Sequence, residues 1–449
     1  MTEPLDAWIA RQVRRCAAGM MLSVSPVGIV KTRPGFGQTV RPVRGAIVAS
    51  PVLAAYDPDP DYFFHWYRDS ALVIDALRTL FEDGAAGAEV LAHLADFAEF
   101  SASLAGLDGA ALAAARGWRG RVAPDFERYL RSDQELQAVR GQEVGAESRV
   151  NADATLDFSR WSRPQHDGPP LRALALLRWM HALAAAGAAG AKPGLDAAMA
   201  ALVRADLEFT RARAQQPSYD IWEEEPGIHY YTLRVSAAAL ELGGHWLQAQ
   251  GEAAAGLALR GRAREILRQL DGFWLEDEGY LRSRLPAGGA GGARSAKELD
   301  IAVILAAVHA DGAAAHGVAD PRMHATLARL EGLFEREYPI NRQRPPDRAP
   351  AMGRYPDDAY YSGGAYYFST LGAAEFCFRA AGSCPDAARW VERGDAFLRT
   401  VRDHTPPDGA LSEQFDGRTG AQTSARHLAW SYAAFITCAA ARGAARACA

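Results

Sequence analysis

The chain has 449 residues, of which 49% are apolar and 23% charged, enough for a large buried core and ordinary for a globular protein. The net charge of −5, with no long basic run, leaves out the clustered Lys and Arg that phosphate binding needs, so no nucleic-acid partner is expected. Five cysteines, Cys16, Cys377, Cys384, Cys438 and Cys448, show no metal-ligand spacing and are odd in number, which reads as reduced thiols rather than a disulfide framework.

The N-terminus lacks the basic and apolar stretches of a signal peptide. The Ala-rich run 173–189 is broken by Arg178 and His181, so it is a poor membrane span. A soluble, cytoplasmic protein without a membrane partner is expected.

Apolar spacing of helical period predicts a first helix over 4–20. Strand-like alternation is confined to short pieces such as Gly45–Leu53. A long connection, 50–68, ends in Asp61-Tyr62-Phe63-Phe64-His65-Trp66-Tyr67-Arg68-Asp69-Ser70. An aromatic run is common in cores, but Arg68-Asp69 is hard to bury without purpose. The pair suits directional hydrogen bonds to hydroxyls. Asp69 also reads as a helix N-cap.

Helices follow over 69–81 and 87–104, and a second long connection, 141–169, carries Trp161-Ser162-Arg163-Pro164-Gln165-His166-Asp167-Gly168-Pro169. After helices over 170–187 and 195–214 comes 215–230, with Tyr219-Asp220-Ile221-Trp222-Glu223-Glu224-Glu225-Pro226-Gly227. Three consecutive glutamates alone read as a solvated turn. Here Trp222 and the sequence His229-Tyr230-Tyr231 flank them. Mutual repulsion and a neighbouring indole both raise a carboxyl pKa, which suits a general acid.

Helices over 231–249 and 252–274 lead to the low-complexity stretch 286–293, read as a surface loop, and then to helices over 297–310 and 320–337. The connection 339–361 holds Gly353-Arg354-Tyr355-Pro356-Asp357-Asp358-Ala359-Tyr360-Tyr361. Helices over 362–381 and 385–403 precede 404–422, which contains Leu411-Ser412-Glu413-Gln414-Phe415-Asp416. The last helix is predicted over 423–442.

About twelve helices joined alternately by short and long connections predict antiparallel hairpins closing into a ring, one all-α domain over 1–449 with functional loops at one end. The connections mix aromatic faces with charged groups, a composition suited to binding a sugar. Glu223 and Glu413 supply the two carboxyls that glycoside hydrolysis uses. No HExxH or CxxC spacing, nucleophile elbow or dinucleotide fingerprint appears, so no metal or cofactor is expected.

In this order, Tyr62-Phe63 with Arg68-Asp69-Ser70, Arg163-Pro164-Gln165 with Asp167-Gly168-Pro169, Trp222-Glu223-Glu224, Gly353-Arg354-Tyr355-Pro356 and Ser412-Glu413-Gln414 resemble the motifs of glycoside hydrolase family fifteen, the glucoamylase family. The similarity runs from Leu5-Asp6-Ala7-Trp8 to Trp430-Ser431-Tyr432. The resemblance implies an (α/α)6 barrel of six inner and six outer helices. It implies an inverting exo-acting enzyme that releases β-D-glucose from α-glucans or maltooligosaccharides.

Carried over by motif, Glu223 is the general acid and Glu413 the general base. Glu224 contacts the sugar on the leaving-group side, Arg68 and Asp69 hold the terminal glucose, and Tyr62, Trp161, Trp222 and Arg354 line the pocket with Tyr360 and Tyr366. Tyr366 stands where the similar fungal members carry Trp, and Glu225-Pro226 makes the acid loop more acidic than usual. The stretch 105–148 matches no motif. No starch-binding module and no leader are evident, which implies soluble oligosaccharides as substrate. The alternatives are hydrolysis of α-1,6 links or trehalose, or sugar binding without catalysis on the same barrel.

Overall fold

The computed structural model describes residues 3–54, 59–188, 190–285, 294–312 and 315–448. The glycine-rich stretch 286–293 lies outside them. Twelve long helices among the described residues carry the architecture: α1 (Leu5–Met21), α2 (Tyr67–Glu82), α3 (Val90–Ser103), α4 (Gly168–Ala185), α5 (Leu195–Arg213), α6 (Tyr230–Ala249), α7 (Ala253–Leu270), α8 (Ala302–Ala310), α9 (Pro321–Glu337), α10 (Tyr367–Ala381), α11 (Ala387–Asp403) and α12 (Ala429–Cys448).

The even-numbered helices form a closed inner ring. α2 packs on α4, α4 on α6, α6 on α8, α8 on α10, α10 on α12, and α12 returns to α2. The odd-numbered helices lie outside, α1 on α12, α5 on α4 and α6, α7 on α6, and α11 on α10. α8 and α10 are buried almost all round, as a helix apolar on every face must be. α11 buries only one stripe, from Gly394 to Val401. At the α6–α7 crossing a Cβ on Gly256 would lie 2.4 Å from the Gly244 carbonyl oxygen, so that close approach requires glycine. Phe368 of α10 stacks on Trp430 of α12 with centroids 4.1 Å apart, where the ring closes. This is the closed ring that the hairpin pattern predicts and the (α/α)6 barrel that the resemblance implies.

Long connections precede every inner helix, so their chemistry gathers at one end of the ring. Short strands of two to four residues tie them together. His65–Trp66 pairs with Arg149–Val150, Ile228–His229 with Arg284–Leu285, and Gln414–Phe415 lies between Ala365–Tyr366 and Gln422–Thr423.

Several boundaries differ from the predicted ones. α7 stops at Leu270, and α8 starts at Ala302, so the described residues 271–285 and 294–301 belong to a sixth long connection that helical periodicity concealed. α12 starts at Ala429 because Gln422–Thr423 is a strand and Ser424 and His427 take positive φ. It continues to Cys448 on helix-forming Ala and Arg. Gly45–Leu53 makes no ladder, only a bridge from Ile47 to Val24. Residues 46–50 are all buried, and their N–H groups bond to Val43, Ser23, Phe64 and Tyr62 carbonyls and to His65 Nδ1. The unmatched stretch 105–148 folds as short helical turns over a small core of Phe36, Trp118, Val122, Leu130 and Leu136. Among the described residues no helix is long and apolar enough to cross a membrane.

Candidate active site

A cavity of about 500 Å³ opens where the connections converge. Tyr62, Arg68, Asp69, Trp161, Trp222, Glu223, Glu224, Arg354, Tyr360, Tyr366 and Glu413 all line it. The two glutamates 190 positions apart in sequence (413 − 223) therefore face one space.

Glu223 sits on a loop that turns sharply, with φ of 64°. Asp220 organises the turn: its Oδ1 accepts the N–H groups of Trp222 and Glu224, each at 3.0 Å, and its Oδ2 accepts that of Glu225 at 3.2 Å. This is the local side-chain-to-backbone bonding that Asp favours in turns. The Glu223 carboxylate accepts Trp66 Nε1 at 2.7 Å, Arg68 Nη2 at 3.3 Å and the Trp161 indole N–H. Ser162 donates to its carbonyl.

The repulsion expected within the run of glutamates is met by cations, of which Lys297 serves both Glu224 and Glu225. Glu224 accepts from Arg354 at 3.0 Å, Tyr355 at 2.5 Å and Lys297 at 2.6 Å. Glu225 accepts from Arg284 at 2.7 Å and Ser295 at 3.0 Å.

Glu413 is held differently. It lies next to the strand Gln414–Phe415 and is 8% exposed. Its Oε1 accepts Tyr62 OH at 3.3 Å and its Oε2 accepts Ser424 Oγ. Tyr62 OH bonds in turn to Tyr360 OH at 2.7 Å. Burial pushes the Glu413 carboxyl up to about 7, against the pull of Ser424 and Arg354. The carboxyl expected to act as the base is thus the one that desolvation holds toward neutrality.

Tyr62 and Trp66 lie side by side, with centroids 5.2 Å apart, and link the two sites. Arg68 reaches Asp167 at 3.0 Å as well as Glu223, and its guanidinium faces the Trp430 ring. Asp69 lies in the first turn of α2, where burial raises its carboxyl to about 6. The N-cap reading of Asp69 is incorrect: the cap position is Trp66, because the aromatic run continues as a strand until the helix begins at Tyr67.

Arg354, 4% exposed, bonds Asp358 at 2.6 and 2.7 Å and is ringed by Trp222, Tyr355, Tyr360 and Tyr366 within 5.5 Å. Tyr366 is buried and accepts from Gln414 at 2.7 Å. Trp161, 40% exposed, stands on the open side with Arg149 3.6 Å from its ring centroid.

The sequence pattern misses Trp66, which read as core, and Ser424, which fell inside a predicted helix. It also misses Arg284, Lys297 and Asp300, which lie in the sixth connection. Asp300 is fully buried, accepts Trp222 Nε1 at 2.8 Å, and has its carboxyl raised by burial to about 7. The charge-rich sequence 294–300, directly after the low-complexity stretch 286–293, was the available signal.

Residues 36–391 and 384–440 match the description "Glycosyl hydrolases family 15". Glucoamylase-1 of Schizophyllum commune is 27% identical over 490 residues, covering 98% of this chain and 75% of that protein. A probable glucoamylase of Schizosaccharomyces pombe is 25% identical over 473 residues, covering 96% and 90%. The structure of a glucoamylase from Saccharomycopsis fibuligera superposes with a TM-score of 0.78 at 19% identity, covering 99% of this chain and 97% of that one, a likeness of fold. With a profile that spans most of the chain on a closed helical barrel, the chain belongs to the glycosyl hydrolases of family 15.

Proposed function

We propose that the chain is an inverting exo-glucosidase of the glucoamylase type, releasing β-D-glucose from the non-reducing ends of α-glucans or maltooligosaccharides. The observation that carries the reading is a single cavity holding two carboxyls in unlike settings, Glu223 among indole N–H donors and Glu413 among hydroxyls. The glucoamylase names of the similar proteins support it.

Glu223 protonates the glycosidic oxygen, and Glu413 takes a proton from a water on the opposite face of the ring. Arg68 and Asp69, both 5% exposed, lie at the buried end, where they suit the hydroxyls of a terminal glucose and stop a longer chain from threading through. Trp161 and Glu224, on the open side, suit the next sugar, whose apolar face stacks on an indole. Arg354, Trp222, Tyr360 and Tyr366 shape the wall between. Tyr62 orients Glu413 through its hydroxyl.

Glucose release from maltose, maltotriose, soluble starch, isomaltose and trehalose tests the reading. Release from the first three supports it, and preference for isomaltose or trehalose moves the activity to the other α-links. No release from any of them overturns it in favour of a sugar-binding protein. The raised Glu413 carboxyl favours a second reading in which the acid and base roles are exchanged. α-Glucosyl fluoride separates the two, because its leaving group needs little protonation: the variant lacking the acid keeps this activity, and the variant lacking the base loses it.

A further inference from the structure

Glu223 holds φ of 64°, a conformation that costs a residue with a Cβ and persists where the surroundings over-determine it. Two buried carboxylates supply that determination. Asp220 gathers the N–H groups of Trp222, Glu224 and Glu225, and Asp300 takes the Trp222 indole N–H. Buried carboxylates need a counter-charge, and Arg284 meets both, Nη1 to Asp220 Oδ2 at 3.1 Å and Nη2 to Asp300 Oδ2 at 3.2 Å. The same Nη1 reaches Glu225 Oε2 at 2.7 Å. The Arg284 backbone is itself fixed by pairing of Arg284–Leu285 with Ile228–His229.

We propose that Arg284 is a positioning residue for the general acid. Its guanidinium joins Asp220, Glu225 and Asp300, so that the loop presents the Glu223 carboxyl to Trp66 and Trp161. The inference rests on the acid assignment above and extends it to the connection 271–301. It also accounts for the third glutamate, since Glu225 anchors the loop's end and stays out of the chemistry. A planar fork holds several carboxylates in a fixed, pre-organised geometry, whereas a lysine ammonium is a compact charge on a flexible stem.

The test compares Arg284→Met, Arg284→Lys and Glu225→Leu, with kcat and KM on maltotriose and on α-glucosyl fluoride and the melting temperature of each variant. Arg284→Met is expected to lower kcat on maltotriose about 10²-fold with KM nearly unchanged, the effect of a misplaced catalytic group. Glu225→Leu is expected to lower it about tenfold, and the double variant to be no worse than Arg284→Met, because the groups act as a unit. Arg284→Lys recovers only part. Each variant should lose far less on α-glucosyl fluoride, whereas a merely structural role lowers both substrates equally. If Arg284→Met fails to fold, Glu225→Leu decides by the same ratio. Equal loss on both substrates, or wild-type kcat in every folded variant, overturns the proposal. Glu223→Gln is assayed alongside. If it is inactive on maltotriose beside a wild-type-like Arg284→Met, only the clamp falls. If it is fully active, the acid assignment falls and takes the clamp with it.

Discussion

The loop that carries Glu223 and the strand that leads from Glu413 solve the same positioning problem by different means. Around Glu223 the backbone is wound about Asp220, and charged or polarised N–H groups of Arg68, Trp66 and Trp161 meet the carboxylate. Around Glu413 the backbone is locked by a three-stranded ladder, and hydroxyls of Tyr62 and Ser424 meet the buried carboxyl. The first site depends on electrostatics drawn from several connections, the second on local sheet pairing and burial. Perturbations should therefore break them with different signatures.

The largest expected effect separates the two carboxyls outright. Glu413→Gln should lose about 10²–10⁴-fold on both maltotriose and α-glucosyl fluoride, whereas Glu223→Gln should lose as much on maltotriose and little on the fluoride. Parallel rate measurements check this, and the reversed pattern exchanges the roles. Next in size is Trp161→Phe, which keeps a ring at the mouth and removes one N–H from Glu223. A roughly tenfold lower kcat on maltotriose is expected, since hydrogen bonds to charged groups are worth about 1.5–3 kcal/mol.

Ser424→Ala sharpens the comparison through pH. Ser424 lowers the Glu413 carboxyl from where burial alone would put it. A base must be ionised, so kcat/KM should fall as pH drops through about 7, and the alanine variant should move that limb upward. A pH–rate profile in which the limb stays put or moves down removes Ser424 from the account.

The smallest effect is on stability. Glu413 binds its proton more tightly folded, about 7, than unfolded, near 4.5. Its contribution is therefore fully present below pH 4.5 and lost as pH rises through 7, by about 3 kcal/mol at most. In Glu413→Gln the melting temperature should decline less between pH 5 and pH 8 than in the wild type.

Much of the barrel was legible because its helices obey one period. The all-round burial of α8 and α10 and the single buried stripe of α11 fit their inner and outer places, a division that only the contacts between helices supply. Glu223, Glu413, Arg68 and Arg354 were legible through the joint match of several motifs in order, since each motif alone also reads as a solvated turn, a core run or a polar loop, and all four line one cavity. Trp66 was not, since an indole reads as core until its N–H finds a carboxylate. The connection 271–301 was hidden because Lys297 to Ala310 keeps a helical apolar spacing that the turn before Ala302 interrupts. Glu225 acquires its partners, Arg284 59 positions away and Ser295 70 positions away, only through the tertiary fold.

The most direct test of the central claim, two carboxyls acting across one cavity with water on the far face of the sugar, is the anomer of the first product. Time-resolved proton NMR of maltotriose hydrolysis should show β-glucose appearing first and then mutarotating. α-Glucose appearing first would contradict the account.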